Sequence, residues 1–235
     1  MPSLVIHSPT MSSWTNREIT NHHLLPYVDS ETATPEVAQA LHTLPFQRNI
    51  FKLLANAPAM MPAFMKLLST CWSEERTIRS KEWQIAVLRT AWLNNAPYEW
   101  DVNEPVAACF GLEDDDFRAI REGDFESGSR KARFNDRQRI VLIMINELEA
   151  CKEVKDLTIT KAVQLIGESG VMEVLMIHGV YSLLARVMKS CKIDFDNEIP
   201  GLAEKLRAFN ARRIQMESEQ DERCCLLYTS PSPRD

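Results

Sequence analysis

The sequence predicts an all-α fold of roughly seven to nine helices. Three observations point that way. From Thr34 onward, apolar residues recur at three- and four-residue intervals. No segment keeps strict alternation of apolar and polar residues, and no Asn-Gly pair marks a hairpin. Start and stop signals (Thr34 with Pro35, Pro58, Ser80, Gly123, Asn135 with Gln138, and Pro200) fall at the borders of the periodic segments.

The elements follow in order. Thr34 is placed to cap a first helix, with Pro35 at its first position, where a missing N–H costs nothing. FQRNIFKLLANAP, residues 46–58, predicts a second helix that stops before Pro58. PAMMPAFMKLLSTCW, residues 58–72, predicts a third, with both prolines in its first turn and its methionines as core filler. In SKEWQIAVLRTAWLNN, residues 80–95, Ser80 is the expected cap and Glu82 lies in the positive first turn. Trp83, Val87, Thr90 and Ala91 share one face of that helix, and Ile85, Leu88 and Trp92 another. A helix apolar on two faces is expected at the centre of the fold.

DDDFRAIREGD, residues 114–124, opens with acids, carries Arg118 and Arg121 toward its end, and has Gly123 just past it. Asn135 and Gln138 form a capping-box pattern before RIVLIMINELEAC. SGVMEVLMIHGVYSLLARVMKSC, residues 169–191, is a second long apolar helix expected at the centre. PGLAEKLRAFNARRIQMES closes the set, with Pro200 near its start and the helix expected to end near Arg223.

Three segments are expected: residues 1–23 as a polar, flexible extension, residues 24–224 as the folded domain, and residues 225–235 as a tail. The tail, CLLYTSPSPRD, breaks with the charged helix before it and resembles the conceptual translation of a sequencing adapter. It is assigned no function.

The chain is 45% hydrophobic and 26% charged, enough apolar material for a sizeable core. A formal charge of −6 gives a nucleic-acid partner no electrostatic support, and RKAR at residues 130–133 reads as a solvated connection. The longest uninterrupted apolar run, Ile140 to Ile145, is too short to span a bilayer, and the N-terminus lacks the pattern of a signal peptide, so a cytoplasmic location without a membrane partner is expected. The six cysteines include no C-x-x-C pair. Cys71, Cys109, Cys151 and Cys191 are expected as buried free thiols, with neither zinc nor a disulfide framework. A metal site at His22–His23 is not expected.

Tyr98-Glu99-Trp100, then Asn103, then EPVA and GL, resemble the carboxymuconolactone decarboxylase family, which shares the AhpD-like all-α fold. The resemblance runs from about Leu25 to Asp196 and includes NIFKLLANAP, QIAVLRTAWLNNAPYEW and VMEVLMIHGVYSLLARV, with Gly179 and Tyr181. The redox branch of the family carries a glutamate, a C-x-x-C and a histidine. Those positions fall here on Gln84, on Ala96 and Glu99, and on Asn103. With neither thiol present, dithiol peroxidase or peroxiredoxin chemistry is excluded, and Cys109 alone cannot replace the pair. The decarboxylase branch keeps the Tyr-Glu-Trp and the histidine. Asn103 keeps the polarity of a histidine but can only hydrogen-bond.

Ala96, Glu99 and Asn103 have the spacing of one helical face, and Pro105 cannot donate to the carbonyl of Asp101. Glu99 is the acid/base candidate of that face, and Asn103 its catalytic companion. Gln84, Ala96, Tyr98, Trp100 and His178 are the candidate substrate-binding residues, His178 as a pocket-lining donor beside Gly179. Tyr181 is expected in the core, and Asp101 and Glu104 in solvent.

The resemblance implies a lyase-like enzyme that needs no metal or organic cofactor. It would carry out decarboxylation, isomerisation or dehydration of a small cyclic carboxylic acid or lactone. It also implies a homo-oligomer, trimeric or hexameric. A non-catalytic member, binding a ligand or assembling as a structural oligomer, is the other reading that Asn103 leaves open.

Overall fold

The computed structural model describes residues 17–44, 46–123 and 134–229, with side chains to residue 220. Among them it is all-helical: nine α-helices and one 3-10 turn. They are α1 (Pro35–Leu41), α2 (Asn49–Leu54), α3 (Met61–Ser69), α4 (Ser80–Leu93), α5 (Pro97–Cys109), α6 (Asp114–Glu122), α7 (Asp136–Cys151), α8 (Asp156–Ser190) and α9 (Leu202–Thr229). The 3-10 turn, Thr70–Trp72, extends α3.

Helix α4 is the axis of the fold. Twelve of its fourteen residues are buried, on both of the faces that the apolar pattern marks out. It packs against α5, α6, α7 and α8. Its polar groups are matched by distant partners. Ser80 gives both its N–H and its hydroxyl to Glu217 of α9, each at 2.9 Å. Glu82 accepts the N–H of Arg79 at 2.9 Å and is held by Arg137 of α7 at 2.6 and 3.0 Å. Arg89 donates to the last carbonyls of α6, Ile120 at 2.5 Å and Arg121 at 3.1 Å, where a helix end favours a cation.

Several local expectations hold. Gly123 ends α6 in the left-handed region at φ 75°. Asn135 and Gln138 bond each other's backbone N–H at 2.9 and 3.0 Å. Others need correction. Arg79 occupies the cap position of α4, and Ser80 is its first residue, because its hydroxyl turns to Glu217 rather than to its own helix. Thr34 takes the cap position of α1 without a side-chain bond. Only Pro62 lies in the first turn of α3; Pro58 belongs to the turn before it. Met61 and Met65 are core, but Met60 is 72% exposed.

Helix α8 begins at Asp156, well before the Ser169 that the apolar pattern indicates, and it breaks at Gly167, whose φ of 74° and ψ of 169° are not helical. It is long and apolar enough, by length and composition alone, to cross a membrane. Val174, Ile177, Tyr181, Leu184 and Met188 are buried in the core of this fold. Helix α9 does not stop near Arg223 but continues to Thr229, into the segment that resembles an adapter. Residues 230–235 and RKAR lie outside the described residues. Of the cysteines expected in the core, Cys71 is buried, Cys109 and Cys191 are half-buried, and Cys151 is exposed; all four are free.

Residues 1–16 of the expected extension also lie outside the described residues. Residues 20–23 run along the domain, where Asp194 accepts Thr20 N–H at 2.9 Å, the Thr20 hydroxyl and Asn21 N–H at 3.0 Å, and pairs with His23 at 3.0 Å. Two residues on, Asp196 accepts Asn49 N–H at 2.7 Å, Arg48 at 3.1 Å and the Tyr98 hydroxyl at 3.0 Å. The non-helical connection between α8 and α9 thus fastens the N-terminal segment, α2 and α5 together.

Candidate active site

Helix α5 supplies the site. Pro97 opens it at a position that needs no N–H donor, and Pro105 sits inside it without ending it. Glu99, Val102, Asn103 and Val106 fall at i, i+3, i+4 and i+7 and share one face. Tyr181, Leu184 and Met188 of α8 oppose them at a matching spacing. Phe46, Arg48, Ile50 and Phe51 close one side, and Leu68 and Trp72 another. They enclose a cavity of about 50 Å³. That is room for a few water molecules or the end of a small organic molecule.

Glu99 is fully buried, and neither of its carboxyl oxygens has a hydrogen-bond partner. Burial pushes its pKa well above the usual carboxylate range, and the nearby charge of Glu149 pushes the same way. The acid therefore keeps its proton where an ordinary glutamate would lose it. Asn103, also buried, donates Nδ2 to the Glu99 carbonyl at 2.8 Å. One donor of its amide is thus spent on the backbone, and it brings no titrating group to the cavity. Tyr98 donates its hydroxyl to Asp196 and accepts Ile50 N–H at 3.2 Å. Burial, then Asp196, raises the Tyr98 pKa, and burial, then Cys71 and Glu99, raises that of Tyr181, so both stay phenols.

The structure brings Tyr98, Glu99 and Asn103 together in one wall. It places the other four candidate residues elsewhere. Trp100 stands one residue past Glu99, a turn of about 100° around the helix. It packs on Trp92 and Phe117, beneath the Arg121 guanidinium, and donates Nε1 to Glu104 at 2.5 Å. Ala96 is the buried cap residue of α5. Gln84 lies wholly inside the fold on α4, with both amide atoms buried and unpartnered. Asp101, expected in solvent, pairs with Arg17 at 2.9 Å.

His178 does not line this cavity. Its Nε2 lies 2.8 Å from Glu149 Oε1, which also accepts Asn94 Nδ2 at 2.5 Å and the Ser182 hydroxyl at 3.2 Å. Gly179 beside it faces open space, with no helix close by. Burial raises the Glu149 pKa, but hydrogen bonds from His178 and Asn94 outweigh it and hold the group below its ordinary value. Serine, histidine and glutamate meet here, yet Ser182 and Glu149 both contact the same ring nitrogen. A nucleophilic triad needs the acid on one ring nitrogen and the hydroxyl on the other, so this is not one.

Two residues of the site carry no periodic signal in the sequence. Arg48, 4% exposed, donates Nη1 to Asp196, while its Nε and Nη2 are buried without partners. Glu149, on another helix, adds to burial in raising the Glu99 pKa. Among the described residues, no group of three or more histidine, cysteine, aspartate or glutamate side chains is arranged to hold a metal ion.

No family model matches the chain, and no curated protein does. Among solved structures, it is similar to the crystal structure of the debrominase Bmp8 in its apo form, with a TM-score of 0.58. The match covers 83% of this chain and 98% of that one at 15% identity. At that identity the likeness is one of fold: an all-helical domain shared almost end to end.

Proposed function

We propose that the chain is a cofactor-free enzyme in which Glu99 donates a proton to a small carboxylic acid or lactone. The observation that carries this reading is a fully buried, unpartnered carboxyl in the wall of a cavity lined mainly by apolar side chains. No group among the described residues bonds that carboxyl, so its desolvation serves no structural end visible around it.

A neutral acid suits decarboxylation. The bond to the departing carboxylate breaks, its electron pair forms an enolate, and carbon dioxide leaves. Glu99 then protonates the carbanion carbon and regains its proton from solvent. Asn103 and Tyr98 shape the wall around the reacting end. The same acid serves isomerisation or dehydration of such a substrate. The resemblance of the Tyr-Glu-Trp segment to carboxymuconolactone decarboxylases supports this reading. The match to a structure named as a debrominase supports the all-helical scaffold and not the reaction.

The test is turnover of the full chain on cyclic carboxylic acids and lactones, followed by substrate loss and proton uptake. Glu99→Gln is expected to lower kcat by about 10²–10⁴-fold. Activity that survives that substitution unchanged removes Glu99 from the reaction.

A second reading, a non-catalytic binding or structural oligomer, is favoured by Asn103, since its amide is partly committed to the backbone. Self-association, trimeric or hexameric as the resemblance implies, is consistent with Met172, Met176 and Leu183, exposed along one face of α8. Specific binding without turnover across the substrate series would favour this second reading.

A further inference from the structure

We infer that Arg48 is the carboxylate-recognition residue of the Glu99 cavity, which selects ligands carrying a single negative charge. The inference rests on the proposal that this cavity is the reaction chamber.

Arg48 stands at the cap of α2, held by Asp196 through Nη1 at 3.1 Å and stacked over Phe46 at 5.0 Å. Those two contacts fix the plane of the guanidinium. Its other edge, Nε and Nη2, is buried and has no partner among the described residues. Two parallel N–H groups along one edge match the two oxygens of a carboxylate. An aligned edge left without an acceptor is costly in a fold, and a bound carboxylate satisfies both donors at once.

The placement of Arg48 adds direction. It lines the inner cavity with Glu99, and it also lines a wider basin of about 360 Å³ with Arg17, Asp101, Glu198 and Glu204. Arg48 is the residue the two walls share. A carboxylate on Arg48 therefore lies between the two spaces, with the carbon that bears it toward Glu99 and any bulk toward the basin. The basin's own charges set the limit. Three carboxylates face two guanidiniums there, and Arg17 is already paired with Asp101. A second negative charge on the ligand meets Glu198 and Glu204 rather than a free cation.

Crotonate, crotonamide and fumarate are suitable probes: one charge, none and two on the same short skeleton. Titration of the full chain by ligand-observed NMR is expected to show crotonate binding at least about tenfold tighter than the other two. Arg48→Lys keeps a cation beside Asp196 but loses the fork, and should abolish that preference. Equal affinity for crotonate and crotonamide in the unmodified protein, or no binding of crotonate, overturns the inference without any variant. So does a preference that survives Arg48→Lys. Glu99→Gln separates this from the reaction. Retained crotonate preference with unchanged turnover would sink the role of Glu99 and leave Arg48 standing.

Discussion

The charge of Glu149 opposes ionisation of Glu99, and the two carboxyls are displaced in opposite directions. Burial and then Glu149 raise Glu99; Glu149, raised by burial, is brought below its ordinary value by His178 and Asn94. Two acids in one region, one held neutral and the other ionised, divide the proton-holding and charge-bearing roles between them.

That division makes stability depend on pH in a definite sense. Glu99 holds a proton when folded at pH values where the unfolded chain has lost it, so its contribution falls as pH rises from about 4.3 toward the raised folded value. Glu99→Gln is neutral at every pH. It should raise Tm at pH 8 and change it much less at pH 4.5, with about 2–4 °C for each kcal/mol recovered. A variant that melts lower than the parent at pH 8 would contradict the buried, unpartnered placement of the carboxyl.

Glu149→Gln should act on both groups. The native pKa of Glu149 is lowered, so its contribution is present above the unfolded value and disappears as pH falls through the folded one. Above pH 5 the substitution should cost about 1–3 kcal/mol, through weaker bonds to Asn94 and His178. It also removes the charge that opposes Glu99. Infrared titration of the Glu99 carboxyl band should therefore show its midpoint moving down; an upward shift would refute the electrostatic link.

Arg137→Ala should be among the most damaging substitutions away from the site. It strips two hydrogen bonds from Glu82, a carboxylate 1% exposed inside α4. About 3–5 kcal/mol is expected in denaturant unfolding, since a buried charge left without its partner is costly. A loss under 1 kcal/mol would mean that the N–H of Arg79 alone sustains Glu82.

Tyr98→Phe tests the fastening around the cavity. The lost hydroxyl serves both Asp196 and Ile50 N–H, so about 1–3 kcal/mol should go. Because Asp196 also holds Arg48, crotonate binding should weaken as well. Unchanged stability and unchanged binding together would dissociate Tyr98 from both.

What the sequence made legible follows periodicity and punctuation. The two-faced α4, the Asn135–Gln138 box and the Gly123 terminus all show in short windows. The shared wall of Glu99 and Asn103 follows from a four-residue spacing. Trp100 and His178 look close to the site in the sequence, but Trp100 packs on Trp92 and Phe117, and His178 meets Glu149 on a different helix. Nothing around Arg48 in the sequence singles it out, because its partner lies 148 residues away. Pairings across such distances leave no trace in local composition, and neither does the burial that shifts a carboxyl.

The Asp194–Asp196 segment has a consequence for proteolysis. Its backbone belongs to no helix, yet Thr20, Asn21, His23, Arg48, Asn49 and Tyr98 all converge on its two carboxylates. A nick there would leave every core helix unbroken in the chain but would detach the leading strand of backbone from the late one. Cleavage here should loosen the ties that hold α2 and α5 at the Glu99 chamber, and protection of this segment from a protease should therefore report whether those ties are made.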